Sequence, residues 1–331
     1  AGCAASSVPV PEPLDLICHL LVPGLFDAVA QRDSMPAIPR LSNVERLLAR
    51  ADREAGAIGY AETAMALFGQ PAEPAADPPT APLCYAQETQ TTPGGWWMHA
   101  DPVHLLPDQD RLILFGGDAL DISAPEAADC AAAFNEHFSA DGLELHAVRP
   151  DRWYLRLSAP PAIATSSLAE VTGRNIDQFL PRGDRQTYWR QLINEVQMLF
   201  HHLDVNQQRE RRGVPAISGL WFSGAGRLPP RGATAICDIH GSDLLISALA
   251  GNAHVQGDDQ LYLELAPWHA LLRGDAGRWL SALQGLEKTL ADCMRSCPEC
   301  RFYPCNGVSY RWRPGMRRRL WRRVRPFADY R

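Results

Sequence analysis

The sequence predicts an α/β fold built on a mainly parallel sheet covered by helices on both faces. Short strand-like runs alternate with helical patterns along the chain, as parallel sheets require. The 331 residues, 46% of them hydrophobic and 21% charged, supply enough apolar material for one large core or two moderate ones. That composition excludes intrinsic disorder. The apolar stretch from Leu14 to Phe26 is interrupted by Asp15, His19, Pro23 and Gly24, so no membrane span is expected from it.

The first run, Leu14–Leu21, reads as a buried strand ending in a turn. Ser42-Asn43-Val44-Glu45 has the form of a capping box, with Val44, Leu47, Leu48 and Ala51 at helical spacing behind it. Gly69–Pro82, dense in Pro and Ala, reads as a linker or loop. Ser123-Ala124-Pro125-Glu126 is a second capping box, opening a helix that should stop near Asp141-Gly142. Asp184 is placed to cap a third helix, whose stripe runs Trp189, Leu192, Ile193, Val196, Leu199, Phe200 and Leu203. Asp275 is placed to cap a fourth, with Trp279, Leu280, Leu283, Leu286 and Leu290. Strand-like runs lie at Arg111–Phe115, Leu143–Val148, Trp153–Leu157, Leu220–Phe222, Thr234–Ile239 and Leu261–Leu265. There is no internal repeat.

Charge is uneven. From Arg311 to Arg331 there are nine Arg and one acid, Asp329, giving +8; the formal total of −6 then leaves −14 for the rest (−6 − 8). Lys288 is the only lysine. Nine cysteines, scattered as Cys3, Cys18, Cys84, Cys130, Cys237 and a late group, do not resemble a disulfide framework, so a reducing cytoplasm is the expected setting. Ala1-Gly2-Cys3 looks like the end of a lipoprotein cleavage site, but two residues precede the Cys and no basic and apolar signal region does, so lipidation is not expected.

Several weak motifs follow one another in fixed order. They are Arg152-Trp153-Tyr154-Leu155-Arg156-Leu157, Thr165, Asn194-Glu195, Asp204-Val205-Asn206-Gln207-Gln208-Arg209, Gly213, Pro215-Ala216 and Ser223-Gly224-Ala225-Gly226. In that order the chain resembles the inserted domain of archaeal-type cofactor-independent phosphoglycerate mutases. With Ala100-Asp101-Pro102-Val103-His104, His137-Phe138 and Asn194-Glu195-Val196-Gln197-Met198, it is more narrowly similar to RpfE-type regulatory proteins. The resemblance runs over roughly Leu14 to Leu290 and is strongest from Trp97 to Gly226. It implies an alkaline-phosphatase-like core at 1–100 and 227–310, an inserted smaller α+β domain at 101–226, and an Arg-rich segment at 311–331.

Such mutases use an oxygen nucleophile and two divalent metals held by Asp and His. Where the family has an Asp-Gly turn after the first strand, this chain has Leu21-Val22-Pro23-Gly24. Where it has Ser-Asp-Thr-Ala-His leading to Gly, the nearest stretch is Tyr60-Ala61-Glu62-Thr63-Ala64-Met65 running to Gly69. The late Asp and Gly-His-Asp ligands are replaced by Ala266-Pro267-Trp268-His269 through Asp275. The expectation is a mutase-like protein without catalysis, cofactor or metal, in a regulatory or ligand-sensing role. The alternative is an active mutase or phosphatase recruiting Asp101, His104, Asp238, His240 and His269.

Arg152, Arg156, Asn206 and Arg209 are the candidate contacts for a small phosphorylated acid, because guanidinium groups suit bidentate contact with phosphate or carboxylate. Against that, Ser223 replaces the family's Arg before Gly-Ala-Gly and Asp204 replaces its turn Pro, and the same four residues are suited to bracing turns. Gly224-Ala225-Gly226 lacks a phosphate-loop pattern, and Asp238-Ile239-His240-Gly241-Ser242-Asp243 reads as a turn after a strand. Cys293-x3-Cys297-x2-Cys300, with Cys305 beyond, has the spacing of a thiolate metal group. Arg interleaved with Trp312 and Trp321 in the tail suits nucleic-acid phosphates and bases. Docking on the acidic body is the preferred reading, and neither nucleic acid nor membrane is an expected partner.

Overall fold

The protein is described here by a computed structural model covering residues 16–27, 38–70, 77–109 and 111–330. The strands are β1 Ile17–Leu21, β2 Asp52–Ile58, β3 Trp96–Asp108, β4 Arg111–Gly116, β5 Leu143–Arg149, β6 Arg152–Leu157, β7 Gly219–Gly226, β8 Gly232–His240, β9 Ala253–Leu263, β10 Glu299–Tyr303 and β11 Asn306–Trp312. The helices are α1 Ser42–Arg50, α2 Tyr60–Leu67, α3 Thr80–Thr89, α4 Ala124–Phe138, α5 Leu168–Val171, α6 Gln186–His201, α7 Asp204–Arg211, α8 Leu244–Gly251, α9 Ala266–Leu272 and α10 Ala276–Ser296.

Six strands form the first sheet in the order β2-β11-β10-β1-β9-β8. β1 lies at its centre, parallel to both β10 and β9, and β8 continues the parallel block. β11 and β2 close one side in antiparallel pairing. Because side chains alternate across a strand, β1 feeds two cores. Cys18, Leu20 and Val22 join Val44, Leu47, Trp279, Leu283 and Leu286 from α1 and α10. Leu21 points the other way, toward Ala64, Met65, Leu83 and Leu249 from α2, α3 and α8. The mainly parallel sheet covered on both faces is therefore present.

The chain leaves this sheet after β2 and returns with β8. Between them residues 96–226 build a second, antiparallel sheet in the order β4-β3-β6-β5, with β7 also on β3. β7 runs along one edge of β3; β6 and then β4 take the other. The amphipathic faces of α4 and α6 close its core through Phe134, Trp189, Val196 and Phe200 against Met98, Trp153 and Phe222.

Several local expectations are corrected. Ser42 is not a cap: α1 starts from Leu41, and the carboxylate of Glu287 on α10 instead accepts from Asn43 N and Val44 N. Asp184 does not cap α6, whose N-cap is Arg185 without a side-chain bond. Pro82 lies inside α3, which begins at Thr80, so the linker read at Gly69–Pro82 gives way to helix; its residues 71–76 lie outside the described residues. Leu14 and Asp15, expected to start the first strand, and Cys3 also lie outside them. The boxes at Ser123 and the cap at Asp275 form as expected.

Candidate functional site

In open α/β sheets ligands gather beyond the carboxyl ends of the strands. Here that rim is made by the turn after β1, the start of α2, the turn before α8 and α9. Gly24, at φ +68, leaves its Cα face to Trp268: a Cβ there would sit 2.6 Å from the indole Cδ1. Trp268 meets the Tyr60 ring at 5.4 Å between centroids. Tyr60 donates its hydroxyl to Asp243 Oδ1 at 2.5 Å, and the same carboxylate caps α8 by accepting from Ile246 N. Burial and the Asp243 charge push the Tyr60 phenol far above its usual range.

Beside this aromatic plug stand carboxylates that the sequence reading did not single out. Thr165 donates both its backbone N–H and its hydroxyl to Asp77. Burial raises the Glu62 and Asp77 carboxyls above their usual range, and the charge of Glu170 adds to both. Asp27 is raised in the same way, with Arg174 opposing. Only the fold brings 27, 62, 77 and 170 within electrostatic reach, so no spacing rule would have found them.

The two cations of the resembling family do not fit this rim. Pro23 offers no ligand, and Tyr60 is engaged with Asp243. Thr63 turns its hydroxyl back to Gly59 O at 2.7 Å. His269 sits on α9, its imidazole pushed below its usual pKa by burial and Arg273. Among the described residues no three His, Cys, Asp or Glu side chains are placed to hold a metal ion.

The four candidate contacts for a phosphorylated acid are not assembled into one site. Asn206 is buried and fully used: its amide donates to Phe200 O and Ile217 O, and its oxygen accepts from Ile217 N. Arg209, wholly buried, donates to Pro215 O, Asp121 O, Leu120 O and Glu126. Burial would raise Glu126, but Ser123, Arg212 and Arg209 hold it down at about 2. Both residues brace the α7 turn.

Arg152 and Arg156 stand elsewhere, on one face of β6. Arg152 pairs with the buried Glu88 at 2.6 Å, together with Arg149 at 2.8 Å and the Tyr154 hydroxyl. Arg156 meets Glu144 at 3.2 Å beside a groove lined by Asn135, Ser139, Gly142 and Ser158.

The alternative ligand set is scattered too. Asp101 is enclosed on β3, where burial and Asp151 raise it to about 8. His104 holds Ala216 O at 2.9 Å, and His240 pairs with Asp238 at 3.1 Å while stacking on Tyr262.

The late cysteines are split. Cys293, Cys297 and Cys300 share one core, but Cys305 lies past the opposite end of β10 against Gly59. Cys18 takes its place, joined to Cys297 by a disulfide, which corrects the expectation that the cysteines form none.

The Arg-rich tail docks in part. Arg319 pairs with Asp52 at 2.5 Å, Arg322 donates to Ala51 O, and Phe327 N donates to Glu45. Leu320 and Trp321 remain 74% and 77% exposed. No described helix is long and apolar enough to cross a membrane.

No protein-family profile matches the chain, and no curated protein matches its sequence. Among solved structures it is similar to the PH0037 protein from Pyrococcus horikoshii, at 10% identity and TM-score 0.47 over 90% of this chain and 87% of that one. It is likewise similar to the cofactor-independent phosphoglycerate mutase from Thermoplasma acidophilum DSM 1728, at 13% identity and TM-score 0.40 over 96% of each chain.

Proposed function

We propose that this chain is a phosphoglycerate-mutase-like protein, of alkaline-phosphatase-like architecture, that does not transfer phosphoryl groups and acts in regulation or ligand sensing. The motif order from Arg152 to Gly226 supports the kinship. The observation that carries the loss of catalysis is the seating of Trp268 on Gly24 and against Tyr60. An aromatic plug fills the rim where a nucleophile and two cations would have to converge, and clustered charged ligands are a physical requirement of such cations. Manganese-loaded protein should show no interconversion of 3- and 2-phosphoglycerate; turnover above background overturns the reading.

The ligand class it fits is a small phosphorylated acid. Asn206 has no donor left for it and Arg209 is wholly buried, so Arg152 and Arg156 are the groups to meet it, in competition with Glu88 and Glu144. Calorimetry with 3-phosphoglycerate tests this, and silence at millimolar ligand removes the ligand class.

A second reading, an active mutase or phosphatase, draws on the mutual influence of Asp27, Glu62, Asp77 and Glu170. It requires metal-dependent release of phosphate from a phosphomonoester, abolished in Asp77→Asn.

A further inference from the structure

Beyond β11 the chain lies against the end of α1 and makes a tight turn from Arg319 to Arg322, in which Arg322 N donates to Arg319 O at 3.1 Å. Both ends of that turn are pinned to one spot, the last carbonyls of α1, where cations are favoured. The Arg319 guanidinium donates to Arg50 O at 3.0 Å and to Asp52, and Arg322 donates to Ala51 O at 2.8 Å. Buried Met316 and Phe327 anchor the chain on either side. With its flanks held, the turn projects its two central residues, Leu320 and Trp321, which are 74% and 77% exposed. Turn tips that face water are ordinarily Gly, Asn, Asp, Ser or Pro. An aliphatic and an aromatic side chain set together at such a tip mark a surface that meets a partner. Within a few residues of them Arg318, Arg323 and Arg325 are exposed, and no described residue pairs with their guanidinium groups.

We propose that the Leu320–Trp321 turn seats the protein on an anionic lipid bilayer, with these two side chains entering the headgroup region and Arg318, Arg323 and Arg325 meeting its phosphates. Tryptophan favours the boundary between headgroups and acyl chains, where its ring is buried and its N–H stays wet. Leucine gains from the acyl side of the same boundary. The three unpaired guanidinium groups supply the charge complement, since each basic side chain near an anionic membrane strengthens binding by about fivefold. Nucleic acid fits the patch less well. Single strands are gripped by aromatic platforms for successive bases, but Trp312, the other tryptophan of the tail, is wholly buried, and Leu320 has no face on which a base could stack. Attachment through one turn is peripheral and reversible, and it needs no spanning helix. The tail is thus divided between two tasks: Arg319 and Arg322 hold the turn on the fold, while their neighbours face outward. The surface is independent of the mutase-like reading.

The test sediments the full chain with vesicles of phosphatidylcholine alone and of equal parts phosphatidylcholine and phosphatidylglycerol. The protein should pellet with the anionic vesicles and stay in solution with the neutral ones. Leu320→Ser and Trp321→Ala should each weaken that binding several-fold, and replacing Arg318, Arg323 and Arg325 together by Gln should weaken it on the order of a hundredfold. All five side chains are exposed, so thermal melts of the variants should match the wild type. Lipids brominated high on the acyl chain should quench part of the wild-type fluorescence, and Trp321→Ala should abolish the quenching, which identifies the inserted ring without relying on affinity. No binding to anionic vesicles, binding that the variants leave unchanged, or binding without quenching overturns the proposal. So does retention of a single-stranded oligonucleotide through the same residues by a protein that ignores vesicles, which would give the face to nucleic acid.

Discussion

Asp259 fixes the tautomer of His19. Asp259 Oδ2 lies 3.1 Å from His19 Nε2 while its Oδ1 accepts from Ile17 N, and His19 Nδ1 stands 3.0 Å from the Tyr303 hydroxyl. A carboxylate only accepts, so Nε2 carries the proton and Nδ1 receives the phenol's. Burial holds the His19 pKa below its ordinary 6.5 despite Asp259. The neutral imidazole is thus the form the fold binds. Its contribution is complete above pH 6.5 and is lost as pH falls from there through the folded value. Thermal melts from pH 7.5 down to 5 should show His19→Asn losing less stability than the wild type over that window; parallel losses refute the assignment.

Asp101 works in the opposite direction. Its folded pKa of about 8 lies above the ordinary 3.8, so the proton is held more tightly in the folded state. The stabilisation is complete below 3.8 and is lost as pH rises through about 8. Asp101→Asn removes that slope. Denaturant midpoints at pH 5 and pH 9 should therefore diverge in the wild type by more than in the variant.

Arg209 has no solvent contact and feeds three backbone carbonyls as well as Glu126. Arg209→Ala should cost about 3–5 kcal/mol, since Glu126 and the carbonyls lose their donor in a dry place. Lysine lacks the forked geometry, so Arg209→Lys should recover little of it. Urea unfolding measures both; a loss below 1 kcal/mol would mean that the brace is dispensable.

Much of this was readable in advance. The Ser123 and Asp275 caps, the stripe of α6 and the alternation of strand and helix all announce themselves locally. β2 did not, because Asp-Arg-Glu-Ala-Gly-Ala-Ile is an edge strand with little apolar alternation. β3 hid behind Pro102 and Pro107. The Ser42 box misled because Glu45, its expected partner, is instead buried beneath Arg40 and Phe327. Cys18 and the rim carboxylates depend on pairings more than two hundred residues apart or on loop placement, which no window of sequence contains.

Gly24 should tolerate no side chain. Gly24→Ala places a Cβ against the Trp268 indole at a left-handed φ, costing about 1–2 kcal/mol in backbone strain alone. Tryptophan fluorescence should shift as Trp268 is displaced. An unchanged spectrum with unchanged stability contradicts the packing described.

Glu45 ties the C-terminal segment to α1 through Phe327 N at 2.9 Å and the Tyr330 hydroxyl on its own carbonyl. Glu45→Ala leaves the amides of Leu41 and Phe327 without an acceptor, at about 1–3 kcal/mol for each that stays buried. Trypsin should then cut within Arg317–Arg325 several-fold faster than in the wild type, with the rest of the chain resistant for longer. Equal rates would show the segment anchored elsewhere.

The central place of β1 sets a timetable for folding. Its two neighbours, β9 and β10, are made of residues 253–263 and 299–303, so a growing chain carries a finished but partnerless strand until those distant residues have left the ribosome. Such distant pairings close late and slowly. The antiparallel sheet of residues 96–226, whose strands find one another over shorter spans, has time to assemble first. The parallel sheet then closes around a waiting strand, and nascent protein must be shielded from aggregation through that interval.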